Sequence, residues 1–175
     1  MQQLEYRSPG CPPPLRDNGA GLLGLPNLSA ADARKVRAGN QQYRGLVRII
    51  KECMRLGIGG YVENPRTSRI WRTWGVKGLL RKGAFFVDTD LCQFGTPYRK
   101  ATRLLIWGFE QSTFADFPRC FAHDGRCSKS GHRHVRLSGT DGGIFRTKAA
   151  QVYPVDFARF LTNALICATL LKVQK

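Results

Sequence analysis

The sequence predicts an α/β domain. Two segments repeat apolar residues with the 3.6-residue period of a helix, and three short apolar runs between them have the composition of buried strands. With 42% hydrophobic and 10% aromatic residues in 175, the chain has enough apolar side chain to fill one core. From Phe109 to Gly143, glycine, serine, histidine and cysteine displace any regular period, so an irregular Cys/His-rich insertion toward the C-terminus is expected.

Residues 1–38 contain Pro12, Pro13, Pro14, Gly19, Gly21, Gly24 and Pro26, which read as an extended Pro/Gly-rich lead-in and leave 39–175 as the folded domain. From Tyr43, apolar residues fall at Leu46, Val47, Ile50, Cys53 and Met54 while Arg44, Arg48, Lys51 and Arg55 turn away, an amphipathic helix stopped by Gly57, Gly59 and Gly60. Ile58 to Val62 is a short strand running into Glu63, Asn64 and Pro65; the proline disfavours helical backbone at Asn64 and leaves the polar pair at the strand's carboxyl end. Ser68 to Leu80 reads as a helix or broken helix with Ile70, Trp71, Trp74 and Leu79 inward, closed by Gly83. Ala84–Val87 and Leu104–Trp107 follow as buried strands, most economically paired as a hairpin across the loop CQFGTPYRKAT. Phe114, Phe117 and Phe121 offer an apolar anchor inside the irregular segment. Pro154 suits the first turn of a last helix with Phe157, Phe160, Leu161, Ala164, Leu165 and Ala168 on its apolar positions. Trp71, Trp74 and Trp107 all lie among apolar residues and are expected in the core rather than as base-stacking platforms.

Lys and Arg number 28 against 12 acidic residues, and the net charge of +16 recurs along the whole chain. Such a surface favours polyanions, nucleic acid first among them. No stretch of the N-terminus has the apolar core of a signal peptide, and the apolar run from Phe160 to Val173 is too short to span a bilayer. An intracellular location, cytoplasmic or nuclear, is expected, with no secretion and no membrane partner. Of the six cysteines, Cys53 and Cys167 lie in helical patterns where a buried free thiol is ordinary, which points to a reducing compartment.

Cys120, His123, Cys127, His132 and His134 place five metal-ligand side chains within 15 residues, beside Gly125 and Gly131. Zinc takes four thiolate or imidazole ligands tetrahedrally, and Cys120, Cys127, His132 and His134 can supply them, with Cys92 or His123 as substitutes. The competing interpretation makes His132 and His134 alternating residues of a solvated basic strand. A site built here, within 109–145, would present Arg126, Lys129, Arg133 and Arg136 to phosphates, a binding role rather than a catalytic one.

The order helix, strand ending in Glu63-Asn64-Pro65, helix, then a strand pair enclosing Gly95-Thr96-Pro97-Tyr98-Arg99-Lys100-Ala101-Thr102-Arg103 resembles the target-base half of a cytosine-5 DNA methyltransferase, above all divergent phage and mobile-element-like members. Pro12-Pro13-Pro14-Leu15-Arg16 and Val36-Arg37-Ala38-Gly39-Asn40 look like such members too, and Tyr153-Pro154 does so more weakly. The resemblance implies a partial Rossmann-like methyltransferase sheet with flanking helices. It also implies a Glu63 carboxyl that hydrogen-bonds the N3 edge of a flipped cytosine while a thiolate attacks C6, with Asn64 orienting it. Arg99, Lys100 and Arg103 would hold the nucleotide's phosphate, with DNA preferred to RNA as partner. Tyr98 stands where the family has Gln, and Lys100 and Thr102 stand where it has arginines, so bidentate guanidinium contacts are lost there.

Nothing in the sequence resembles the Gly-rich loop and ribose-binding acid that hold S-adenosylmethionine, nor the Pro-Cys nucleophile motif. Cys11, preceded by Gly10, is a poor substitute. The resemblance therefore implies a truncated or degenerate methyltransferase-like protein that binds nucleic acid without S-adenosylmethionine and without turnover alone. The alternative from another class is a small zinc-stabilised nucleic-acid-binding module unrelated to methyl transfer.

Overall fold

A computed structural model describes residues 13–121 and 124–173. Helix α1, Ala30–Arg55, starts well before Tyr43, inside the segment read as lead-in. Its start is a local signal: Ser29 caps the helix by accepting the Asp32 backbone N–H at 3.1 Å, and its hydroxyl bonds the Asp32 carboxylate at 2.8 Å. Arg16 holds the preceding chain to α1, donating to Asn40 Oδ1 at 2.6 Å and to the Val36 carbonyl at 3.2 Å. At the other end Gly57 takes a positive φ of 70°, and the Ile58 N–H reaches back to the Cys53 carbonyl at 2.8 Å, a left-handed C-terminal cap.

Strand β1 is Gly60–Pro65, α2 is Trp74–Leu80, β2 is Phe85–Asp90 and β3 is Ala101–Trp107. A 3-10 turn at Arg69–Arg72 precedes α2, so the broken helix expected from Ser68 is observed as two pieces. Another at Leu91–Phe94 follows β2. The sheet has the order β1-β3-β2 with both neighbouring pairs antiparallel, placing Glu63 opposite Leu104 and Val87 opposite Leu104 on its other side. The mixed α/β class thus holds in its coarse form, as an open three-stranded sheet with helices. β1 and β2 run parallel to each other on either side of β3 and are joined through α2, a split βαβ arrangement.

Side-chain alternation gives the sheet two covered faces. On one, Leu105, Trp107 and Phe86 pack with Ile50, Leu46 and Tyr43 of α1 and Val76 and Leu79 of α2. On the other, Val87, Leu104 and Ile106 pack with Phe114, Phe117 and the last helix α3, Val155–Val173, through Phe157, Leu161 and Ala168. No described helix is long and apolar enough to cross a membrane. Where the irregular segment ends, β4 Thr140–Asp141 and β5 Ile144–Phe145 form a short hairpin turned by Gly142 and Gly143 at positive φ.

Three expectations of burial fail. Cys167, read as a buried helical thiol, is exposed, because it sits on the outer side of α3 away from the buried positions Phe157, Leu161 and Ala168. Trp74 is 77% exposed, because it opens α2 on the side away from the sheet, and Lys77 lies 5.0 Å over its ring. Phe121 is 72% exposed; Phe114 and Phe117 alone of the three phenylalanines enter the core.

Candidate functional site

Two centres gather the polar chemistry. The first lies on the α3 side of the sheet. β1 aims Glu63 at this face, and Oε2 accepts a hydrogen bond from the Tyr153 hydroxyl just ahead of α3. Glu63 Oε1 is buried with no hydrogen-bond partner. Burial, then the neighbouring Glu63, push the Tyr153 phenol well above its ordinary pKa, so it stays a neutral donor at pH 7. Lys100, from the loop leading into β3, donates to the Ala150 carbonyl at 3.1 Å and sits 4.8 Å over the Tyr153 ring. That ring stacks on Phe157 with centroids 5.7 Å apart. Glu63 and Lys100 thus share one face and meet at one aromatic ring. Alternation along β1 turns Asn64 to the opposite face, where it pairs in register with Arg103.

The other two cations of the loop and β3 are held within the fold. Arg103 clamps Asp88 through Nε at 2.6 Å and Nη2 at 2.8 Å while lying 4.6 Å over Phe86. Burial opposes ionisation of Asp88, but the Arg103 clamp outweighs it and holds the carboxyl below the usual range. Arg99 donates to Asp90 at 3.0 Å and 3.4 Å and to the Cys120 carbonyl at 2.7 Å. Asp90, fully buried at the end of β2, also accepts the Cys120 backbone N–H at 3.0 Å. It therefore ties the cysteine loop to the sheet.

The second centre begins there. The ligand atoms of Cys92, Cys120, Cys127 and His134 all lie within 4.8 Å of one another, and the three cysteines are buried. The group can hold a metal such as zinc. Cys92 takes the place expected for His132, whose side chain is exposed and whose carbonyl accepts the Cys127 N–H at 2.8 Å. His134 is half-buried and its N–H bonds the Gly125 carbonyl at 2.8 Å, so of the two histidines it is His134 that the loop brings to the sulfurs. His123 and Cys11 lie outside the described residues.

Around the sulfurs, the Gln93 amide lies 3.7 Å from both Cys92 and Cys127, and the Ser128 N–H donates to Cys120 at 3.4 Å. Burial pushes Cys92 up to about 12. Burial also works against Cys127, yet the backbone N–H groups of Ser130 and Lys129 lower it below the ordinary thiol value.

The cations of the insertion divide. Lys129 donates to the Gln93 carbonyl at 2.6 Å and closes the loop. Arg126 is exposed and pairs loosely with Asp124 at 3.4 Å. Arg99, Arg133 and Arg136 border a cleft of about 640 Å³ that also reaches His134 and Asp124. Asp90, Gln93 and the Tyr153 contact to Glu63 are additions that residue types and spacing did not reveal. Asp90 offered one signal, an acidic residue two places before Cys92 in a chain otherwise crowded with cations.

Comparison with protein-family models, curated proteins and solved structures finds no match.

Proposed function

We propose that this chain is a methyltransferase-like base-recognition domain: it binds nucleic acid, DNA in preference to RNA, through a basic surface and receives an unpaired pyrimidine beside Glu63, without methyl transfer of its own. The observation that carries the reading is that Glu63 of β1 and Lys100 of the loop leading into β3 lie on one face against a single six-membered ring, that of Tyr153. A planar ring that donates to Glu63, lies under an ammonium and stacks on Phe157 occupies the kind of space a flipped base needs. Tyr153 then exchanges with the base or stacks against it, and the unpartnered Glu63 Oε1 supplies an acceptor for an exocyclic amine.

The parallel relation of β1 and β2 about an antiparallel β3 supports placing this sheet at the edge of a mixed, Rossmann-like one. Arg126, Arg133 and Arg136 are the exposed cations suited to phosphates. Arg66 Nη1 and Arg69 Nε, just after β1, also lack hydrogen-bond partners. Zinc at the cysteine cluster would serve this surface as a support, and the reading needs no S-adenosylmethionine.

Fluorescence anisotropy with the full chain tests it, using duplexes that differ only in pairing one cytosine with guanine or leaving it opposite an abasic site. Tighter binding to the unpaired cytosine, a decline with salt, and loss of about tenfold of that preference in Glu63→Gln are expected, the last from one charge-assisted hydrogen bond. Equal affinity for both duplexes, unchanged by Glu63→Gln, would remove the base-recognition reading. Tight S-adenosylmethionine binding by the isolated chain in calorimetry would overturn the part that denies it methyl transfer.

A further inference from the structure

We infer that Cys92, Cys120, Cys127 and His134 form a closed, structural zinc(II) site that clamps the loop carrying Arg99 and Lys100 to the 120–136 segment. This goes beyond base recognition and stands without it.

The geometry is close to that of a filled tetrahedron. With zinc to sulfur near 2.3 Å and zinc to nitrogen near 2.0 Å, tetrahedral ligands lie about 3.8 Å apart for two sulfurs and about 3.5 Å for sulfur and nitrogen. Cys120 Sγ and His134 Nε2 are 3.8 Å apart, and no pair among the four ligand atoms exceeds 4.8 Å. Three soft sulfurs with one imidazole select zinc over magnesium or calcium, whose ligands are oxygens. All four positions come from the protein and the cysteines are buried, which leaves no open position for water or substrate and marks a structural rather than catalytic site.

The surroundings are those of a bound thiolate cluster. Zinc(II) with three thiolates and a neutral imidazole carries one negative charge, and the Arg99 guanidinium stands beside it, 2.7 Å from the Cys120 carbonyl. The Ser128 N–H aims at the Cys120 sulfur, and the Gln93 amide reaches those of Cys92 and Cys127. Such donors fix ligand orientation and favour the thiolate form.

The clamp joins two chain segments. Cys92 lies in the turn after β2; Cys120, Cys127 and His134 lie in the irregular segment. Their contacts include the Val135 N–H on the Pro97 carbonyl at 2.8 Å and Lys129 on Gln93. The Pro97 loop leads straight to Arg99 and Lys100. Metal therefore fixes the loop in which those two cations sit.

Elemental analysis of the full chain, purified under reducing conditions, tests the site without any nucleic acid present. One zinc per chain is expected in the wild type and in His132→Ala, and less than a tenth of that in Cys92→Ser and His134→Ala. Gln93→Ala should keep the fold and weaken zinc binding at least tenfold in competition with a chelator. Cobalt(II) added to the metal-free wild type should give thiolate charge-transfer absorption and the strong visible bands of tetrahedral coordination, a readout that does not depend on any variant folding. A metal-free wild type that develops no such bands overturns the proposal. So does zinc retained in Cys92→Ser but lost from His132→Ala, which would restore the ligand set without Cys92. Because nucleic-acid affinity enters none of these measurements, the zinc site and the base-recognition reading fail separately.

Discussion

Asp90→Asn should be among the most damaging near-isosteric substitutions in this protein. The carboxylate is fully buried and receives two hydrogen bonds from Arg99 and one from the Cys120 N–H. Asparagine keeps the shape but presents an NH2 group to one of these donors and removes the charge that faces the guanidinium. Removing one partner of a buried ion pair costs about 3–5 kcal/mol. The Arg99 side chain is 33% exposed and can recover some hydration, so the lower end of that range, about 3 kcal/mol, applies here. For a chain of this size, a loss of about 3 kcal/mol corresponds to roughly 6–12 °C in melting temperature. Thermal unfolding at neutral pH, followed by circular dichroism, reads it directly. The double variant Asp90→Asn with Arg99→Ala should be no less stable than the worse single one, since no unpaired charge then remains. A melting temperature within about 2 °C of wild type for Asp90→Asn, or strictly additive losses in the double variant, would refute the reasoning from a buried pair.

Arg103→Ala should cost about 2 kcal/mol by denaturant titration, and Arg103→Lys should restore little of it, because an ammonium cannot reproduce the two-point clamp on Asp88. The Asp88 carboxyl is held below its unfolded value, so its contribution is complete above roughly pH 4 and is lost as the pH falls through the folded value; the acid limb of a stability profile should flatten in Arg103→Ala. Tyr153→Phe strips Glu63 of its hydroxyl donor and should lower stability by about 1 kcal/mol in the same titration. Gly108→Ala should cost about 3 kcal/mol and lower the melting temperature accordingly: Gly108 has a φ of +76°, and an added Cβ would come 2.7 Å from the Gly59 Cα, a backbone atom with little freedom to retreat.

The sequence by itself determined the helices and strands wherever one periodic signal dominated. The α1 face from Tyr43 to Met54, the apolar cores Ala84–Val87 and Leu104–Trp107 of two strands and the last helix were legible, because apolar spacing reports which side meets a core, while the polar ends of those strands, at Asp88–Asp90 and Ala101–Arg103, were not. The early start of α1 was misread as extended lead-in, because the prolines and glycines before it outweighed the capping signal of Ser29 and Asp32. Trp74 shows the limit of that signal, since it shares the spacing of buried neighbours while the turn before α2 rotates it outward. Residue types alone marked Cys92, Cys120, Cys127 and His134 as metal candidates; choosing Cys92 over His132 required the fold of the loop, because a tetrahedron is a condition on distances between segments and not on spacing within one. The same holds for Asp90 with Arg99, and for Glu63 with Lys100 at Tyr153. A charge or a thiol carries its chemistry in its identity, but its partner is set by where the chain returns, and only the tertiary structure decides that.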